Sequence, residues 1–100
     1  MDMPNGKNIT AKQVMGLVHK QSFLCAISGR TLTPETASLD HIVALGRGGQ
    51  HAIDNVWVVD HQVNTAKGTL SLDEFIEVCR DVVRWQDQIR KDDADECNAA

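Results

Sequence analysis

The chain is poor in cysteine and lacks any long hydrophobic run. Its 100 residues include only three cysteines. An odd number, with Cys97 in a polar stretch, does not form a disulfide framework and suits a reducing compartment. No apolar run approaches the length of a membrane span, and the N-terminus lacks the apolar segment of a secretory signal. We therefore expect a single cytoplasmic domain without membrane contact.

The chain also lacks the excess of positive charge that nucleic-acid-binding proteins often carry, because its formal net charge is −4. The four excess negatives all lie near the C-terminus, in Asp92, Asp93, Asp95 and Glu96, which leaves residues 1–91 neutral with ten basic and ten acidic side chains. Residues 92–100 are expected to be a disordered acidic tail, and residues 1–91 one folded domain. A neutral domain can still bind an anionic partner if its cations cluster.

Two elements are predicted before residue 37. Apolar residues at roughly helical spacing, with Asn8 or Thr10 as the N-cap, predict a helix from Thr10 to about Lys20. The segment 22–32 predicts a β-hairpin with its turn at Ser28-Gly29.

A long helix from about Leu72 to Ile89 is predicted at the other end, started by a capping box of Ser71 and Glu74. Trp57 and Trp85 are expected to cover the core. The apolar stripe of this helix is also expected to be core. The stripe comprises Leu72, Phe75, Ile76, Cys79, Val82, Val83 and Gln86.

Residues 37–68 hold the polar side chains of chemical interest. Leu39, Ile42, Val43 and Leu45 predict a strand that ends at the glycine-rich loop, and the run from Asn55 to Val59 predicts a second strand. Asp60 to Ala66 predicts a short helix that ends near Gly68. This order of strand, loop, strand and helix places Asp40 and His41 opposite the helix that carries Asn64. The three side chains are therefore expected to converge.

The same stretch resembles the ββα-metal, or HNH, nuclease motif, in the form found in small phage-type HNH endonucleases. The matching residues are Asp40-His41, the loop 47–49, Asp54-Asn55, and the set Asn64, Lys67 and Gly68. Asn64 stands at the third motif position, which gives the HNN variant that the family also uses. The resemblance implies an α+β fold with a ββα core over 37–68, flanked by an N-terminal helix, a β-hairpin and a long C-terminal helix. It also implies a metal-dependent DNA endonuclease.

The chemistry of phosphodiester hydrolysis assigns a role to each motif residue. His41 is suited to be the general base, because an imidazole titrates near neutral pH. Asp40 and Asn64 offer hard oxygen ligands for Mg²⁺ or Mn²⁺ in a mechanism with one metal ion. By the resemblance, Asn55 is not a ligand but anchors the loop and so orients His41.

Other residues near the motif keep more than one interpretation. Asp60 and His61 are both spaced to supply a third metal ligand, and Asp60 is equally suited to be a helix N-cap. His51 is expected to be a loop residue or a substrate contact. Arg47 and Lys67 are expected to contact DNA phosphates, with weak, salt-sensitive binding and low sequence preference.

Many members of the family hold a structural zinc with two CxxC pairs. Here the corresponding positions are Cys25 and Ser28, then Asp60 and Val63, so we expect no structural zinc. Cys25 is better explained as a small buried hydrophobe.

The resemblance also suggests partners. A single copy is expected to nick one DNA strand, and double-strand cleavage to need a homodimer or another protein. Small relatives are often encoded by phages near the DNA-packaging terminase and assist it, which implies the cytoplasm of a bacterial host. The alternative function is a catalytically idle HNH fold that binds DNA or the terminase as an accessory protein.

Overall fold

The computed structural model describes residues 8–99, and their side chains as far as residue 92. Within that range the protein has three α-helices and one two-stranded antiparallel sheet, which confirms the α+β class. The elements are α1 (Ala11–Lys20), β1 (Ala37–His41), β2 (Val56–Asp60), α2 (His61–Lys67) and α3 (Leu72–Ala99).

Helix α1 begins as its sequence predicts, with Thr10 as the N-cap. The Thr10 hydroxyl accepts a hydrogen bond from the backbone N–H of Gln13, and the Gln13 side chain accepts one from the N–H of Thr10, a reciprocal capping box. The two bonds satisfy backbone donors that the first turn of a helix leaves unpaired.

Strand β2 lies at the centre of the small core. On one edge it pairs with β1, with Leu39 opposite Val58. On its other edge the Gln21 side chain replaces a third strand: its amide donates to the Val58 carbonyl (2.8 Å) and its carbonyl oxygen accepts from the Val58 N–H (3.0 Å). This contact matters because an unpaired buried backbone group is costly. The core cluster comprises Val18, Cys25, Leu32, Val58 and Val59.

The segment 22–32 reverses direction as predicted but does not form the predicted β-hairpin. Its ladder is reduced to one isolated bridge, between Leu24 and Thr31. The Cys25 thiol accepts a hydrogen bond from the Ser28 N–H (3.4 Å), which closes a tight turn and leaves too few residues for paired strands.

Strand β1 is also shorter than predicted, since it ends at His41 and does not continue to Leu45. The chain then enters a loop with two short 3-10 turns, Leu45–Arg47 and Ile53–Asn55. The apolar residues that suggested a longer strand are exposed in this loop, Val43 by 49% and Leu45 by 54%.

Helix α3 begins with the predicted capping box but otherwise differs from the prediction. Ser71 and Glu74 exchange the two capping hydrogen bonds. The helix then continues to Ala99, beyond the predicted end at Ile89 and through residues 92–99 of the segment predicted to be a disordered tail. Once a helix has formed, each added residue gains one hydrogen bond, so extension is much easier than starting a new helix.

The prediction that the apolar stripe of α3 belongs to the core is wrong. Every residue from Glu77 to Gln88 is exposed, including Cys79, and Trp85 is exposed by 64%. Trp57, by contrast, packs against the core as expected. None of the helices over residues 8–99 has both the length and the apolar character needed to cross a bilayer.

Candidate functional site

Helix α2 lies across β1 and brings the polar residues of the two elements into contact. Asp60 caps α2 by accepting from the N–H groups of Gln62 and Val63, and Gly68, with φ +56°, ends it. Side chains that alternate along β1 meet side chains one turn apart on α2. As a result Ser38 contacts Asn64, and Asp40 contacts Lys67.

Asp40 and Lys67 form a buried ion pair. The Lys67 ammonium lies 3.2 Å from one Asp40 oxygen, and its side chain is fully buried. The same oxygen accepts a hydrogen bond from the Trp57 indole N–H (2.7 Å), across from Asp40 in the sheet. Lys67 therefore does not lie where the predicted contact with DNA phosphate requires it. The sequence contains a signal for this pair: Ser38 and Asp40 are alternate residues of β1, and their partners Asn64 and Lys67 are three residues apart on α2.

Asn64 is fixed by its amide nitrogen, which donates to the Ser38 hydroxyl (2.7 Å) and to the Leu39 carbonyl (3.3 Å). No hydrogen bond among the described residues uses its side-chain oxygen, so that oxygen keeps its capacity to bind a cation or water. Asn64 lies beside the backbone of β1 next to Asp40, and no described hydrogen bond joins the two side chains.

His41 ends β1 and pairs with a second histidine from the following loop. Its Nε2 lies 2.9 Å from Nδ1 of His51, close enough for one ring to donate to the other. Partial burial lowers the pKa of His41, and the charges of His51 and Lys67 lower it further, while the Asp40 charge offsets part of the shift. The lowered pKa favours the neutral form of the His41 ring, which is the form that can accept a proton. No sequence pattern pointed to the pair with His51.

Asn55 holds the loop after His41 in place. Its carbonyl oxygen accepts from the Val43 N–H (2.9 Å), and its amide donates to the carbonyls of Val43 (3.0 Å) and Gln50 (2.8 Å). Gly49 packs so closely on Val43 that a Cβ would lie 1.7 Å from the Val43 carbonyl oxygen. These are the contacts that an anchoring role requires, and the effect of Asn55 on catalysis stays a prediction.

Asp60 and His61 lie at the other end of the sheet from His41. Asp60 is opposite Ala37, whereas His41 is opposite Val56, so the two ends are separated by about 13 Å along the strand. The Asp60 carboxylate is also engaged by the cap and by Arg30 at 3.5 Å. Of the two interpretations of Asp60, the structure supports the N-cap, and it does not bring Asp60 or His61 to Asp40.

Arg47 is tied to the start of α3. Its guanidinium bonds both carboxylate oxygens of Glu74 and donates to the Thr69 carbonyl (3.3 Å). The hydrogen bond from Arg47 and those from Ser71 lower the pKa of Glu74 from 4.5 to about 2, and the same pair raises the pKa of Arg47. A phosphate contact by Arg47, still half-exposed, therefore competes with Glu74.

Cys25 is buried, as predicted, and its sulfur accepts hydrogen bonds from the backbone N–H groups of Ser28 (3.4 Å) and Asp60 (3.2 Å). Burial raises the pKa of the thiol, but the hydrogen bonds from Ser28 and Asp60 outweigh it, and the net pKa is lowered. The sulfur thus joins the turn after α1 to the start of α2.

The donors near Asp40 suit a divalent cation only in part. Asp40 and Asn64 offer the hard oxygens that Mg²⁺ and Mn²⁺ prefer. However, the Lys67 ammonium already neutralises the carboxylate, so a cation would have to displace Lys67 or share Asp40 with it. Over the part of the chain with described side chains, no three His, Cys, Asp or Glu side chains are grouped as a metal site.

Comparison with known proteins adds no identification. No family model matches this chain, and no curated protein is significantly similar to it in sequence.

Proposed function

We propose that this chain is a metal-dependent DNA endonuclease of the HNH type, which nicks DNA with low sequence preference in the cytoplasm of a bacterial host. The observation that carries the proposal is the setting of His41: a partly exposed imidazole with a lowered pKa at a strand end, held by His51 and by a loop that Asn55 anchors. An imidazole so placed can take a proton from an attacking water.

The order of elements over 37–68 also supports the proposal, since two antiparallel strands lead directly into a helix packed on them. In this arrangement Asp40 and the Asn64 side-chain oxygen would hold the divalent ion. The chemistry that such an ion supplies is neutralisation of the phosphate charge and activation of water. His41 would accept the proton of that water, and Asn55 would keep the ring in position.

A second candidate function is favoured by the buried Asp40–Lys67 pair. Because this pair neutralises the expected metal ligand, the chain could be a catalytically idle accessory protein that binds DNA or a phage terminase. The two candidates differ in a single property, which is cleavage that depends on His41.

The test is incubation of supercoiled plasmid with the purified full chain in Mg²⁺ or Mn²⁺, with nicked and linear products separated on a gel. We expect nicking that a chelator stops and that His41→Ala abolishes while DNA binding persists. His61→Ala is the matched control, because it makes the same change at an exposed histidine at the far end of the sheet. It should cleave at the unaltered rate.

The other outcomes are equally informative. Cleavage that survives in His41→Ala would remove His41 as the base. DNA binding without cleavage by the unaltered chain, in either metal, would reject the endonuclease in favour of the accessory protein. Absence of both activities would reject the endonuclease and the DNA-binding form of the accessory protein, and would leave only an accessory protein that binds a terminase.

A further inference from the structure

The only described hydrogen bond of the His41 ring goes to the ring of His51. Nε2 of His41 lies 2.9 Å from Nδ1 of His51, and over residues 8–92 no other hydrogen bond uses a ring nitrogen of either residue. The ring centroids are 5.1 Å apart, a separation that fits two imidazoles whose nitrogens point towards each other. The contact with His51 therefore fixes the direction in which the His41 ring points.

Asn55, by contrast, does not contact the His41 ring. Its side chain bonds the backbone of Val43 and of Gln50. Because Gln50 directly precedes His51, the bond from Asn55 to the Gln50 carbonyl (2.8 Å) holds the backbone from which the His51 side chain extends. The loop that Asn55 anchors thus reaches the His41 ring through His51.

The hydrogen bond between the two neutral rings can have either direction, and only one direction leaves His41 able to act as a base. If His51 donates, His41 accepts on Nε2 and carries its own proton on Nδ1, so neither nitrogen is free to take a proton from water. If His41 donates from Nε2, its Nδ1 keeps a free lone pair. Each ring then carries its proton on Nε2, which is the more stable tautomer of a free histidine side chain.

We propose that His51 is the positioning residue for the general base, and that Nδ1 of His41 is the atom that accepts the proton of the attacking water. His51 accepts the hydrogen bond from Nε2–H of His41 and so fixes both the tautomer and the orientation of that ring. When the proton passes from water to Nδ1, the bond to His51 becomes charge-assisted and stabilises the imidazolium. The inference rests on the proposed endonuclease function, which it deepens by assigning the atom that acts as the base.

The position of the two rings separates this role from a structural one. His51 is exposed and His41 is half-buried. A hydrogen bond at the surface contributes little to the free energy of unfolding, because water can replace either partner. Loss of the His51 ring should therefore leave the fold intact and affect only the reaction.

The test is plasmid nicking by the full chain, with kcat and KM measured separately. We expect His51→Ala to lower kcat by roughly ten- to a hundredfold with little change in KM. His51→Asn should restore most of the lost kcat, because its amide oxygen lies close to the position of Nδ1 and accepts the same hydrogen bond. His61→Ala is again the control and should cleave at the unaltered rate. Melting temperatures check that the variants fold.

Proton–nitrogen NMR of the imidazole rings tests the assigned tautomer without any need for cleavage. In slightly alkaline solution the unaltered chain should show His41 protonated on Nε2 and unprotonated on Nδ1. His51→Ala should allow both tautomers of His41. A proton on Nδ1 of His41 in the unaltered chain would overturn the proposal.

The kinetic outcomes distinguish this inference from the proposed function on which it rests. Absence of cleavage by the unaltered chain would reject the endonuclease and with it the role of His51. Cleavage that needs His41 but is unchanged in His51→Ala would keep the endonuclease and overturn the inference alone. A higher KM at unchanged kcat would make His51 a substrate contact instead. A His51→Asn variant as slow as His51→Ala would also count against the assigned hydrogen bond.

Discussion

Removing the Lys67 ammonium should weaken the fold more than any substitution of an exposed charge. In Lys67→Met the aliphatic part of the side chain is kept, but the Asp40 carboxylate stays 5% exposed with only the Trp57 N–H as a partner. An uncompensated buried charge of this kind lowers the free energy of unfolding by about 3–5 kcal/mol. For a chain of this size the melting temperature should fall by roughly 10–40 °C.

The assay is equilibrium unfolding in urea at neutral pH and fixed protein concentration, because self-association adds to apparent stability. Asp40→Asn should also destabilise, since it leaves the ammonium buried alone. The double variant Asp40→Asn, Lys67→Met removes both charges and should be more stable than either single variant.

The exposed pair of Asp81 and Arg84 supplies the control. It joins the same kinds of charge at 3.5 Å, but its side chains are exposed by 67% and 75%. Arg84→Met should change the free energy of unfolding by under about 0.5 kcal/mol. If Lys67→Met also costs under about 1 kcal/mol, the Asp40–Lys67 pair is solvated and the reasoning fails.

Three further predictions use other contacts. Gly49→Ala forces a clash with the loop backbone and should lower the free energy of unfolding in urea by about 1–3 kcal/mol, whereas Gly46→Ala, with no atom within 4 Å of the new methyl, should be nearly neutral; equal losses would contradict the close packing. The pKa of Glu74 lies below its unfolded value of 4.5, so its carboxylate stabilises the fold above pH 4.5 and this contribution is lost as the pH falls to about 2. In thermal melts the unaltered chain should have a higher melting temperature than Glu74→Gln above pH 4.5, and this difference should disappear as the pH falls to about 2. A difference that persists below that pH would mean that ionisation of Glu74 is not its cause. Gln21→Ala leaves the Val58 N–H without its partner, although the Val58 carbonyl keeps the Ala26 N–H (3.1 Å), and should cost about 1–3 kcal/mol in urea; no loss would mean that water replaces the amide.

The features that could be predicted from the sequence are those with local causes. The capping boxes at Thr10 and Ser71 and the helix end at Gly68 each depend on residues within one turn of the chain, so a short window contains all the information needed. The second strand could also be predicted from a short window, because β-branched residues dominate the segment 56–60.

Features set by distant contacts could not be predicted in the same way. The apolar pattern of α3 identifies one face of the helix, but it does not say whether the rest of the chain packs on that face. The prediction that this face belongs to the core was wrong, because its residues are exposed. Lys67, a cation at a helix end, was predicted to contact DNA phosphate, which requires an accessible ammonium. Its burial depends on Asp40, which is 27 residues away in the sequence.

Asp40 ties the stability of the fold to the proposed chemistry. As a structural residue Asp40 needs its ion pair with Lys67, whereas as a metal ligand it must give up part of that pair. The free energy of binding a divalent ion is therefore reduced by the free energy needed to disturb the ion pair. Lys67→Met removes this competition at the same time as it weakens the fold. A ligand role for Asp40 therefore requires Mg²⁺ or Mn²⁺ to restore stability to Lys67→Met more than to the unaltered chain, because only there is the carboxylate free to bind. A purely structural role requires that the ions restore nothing.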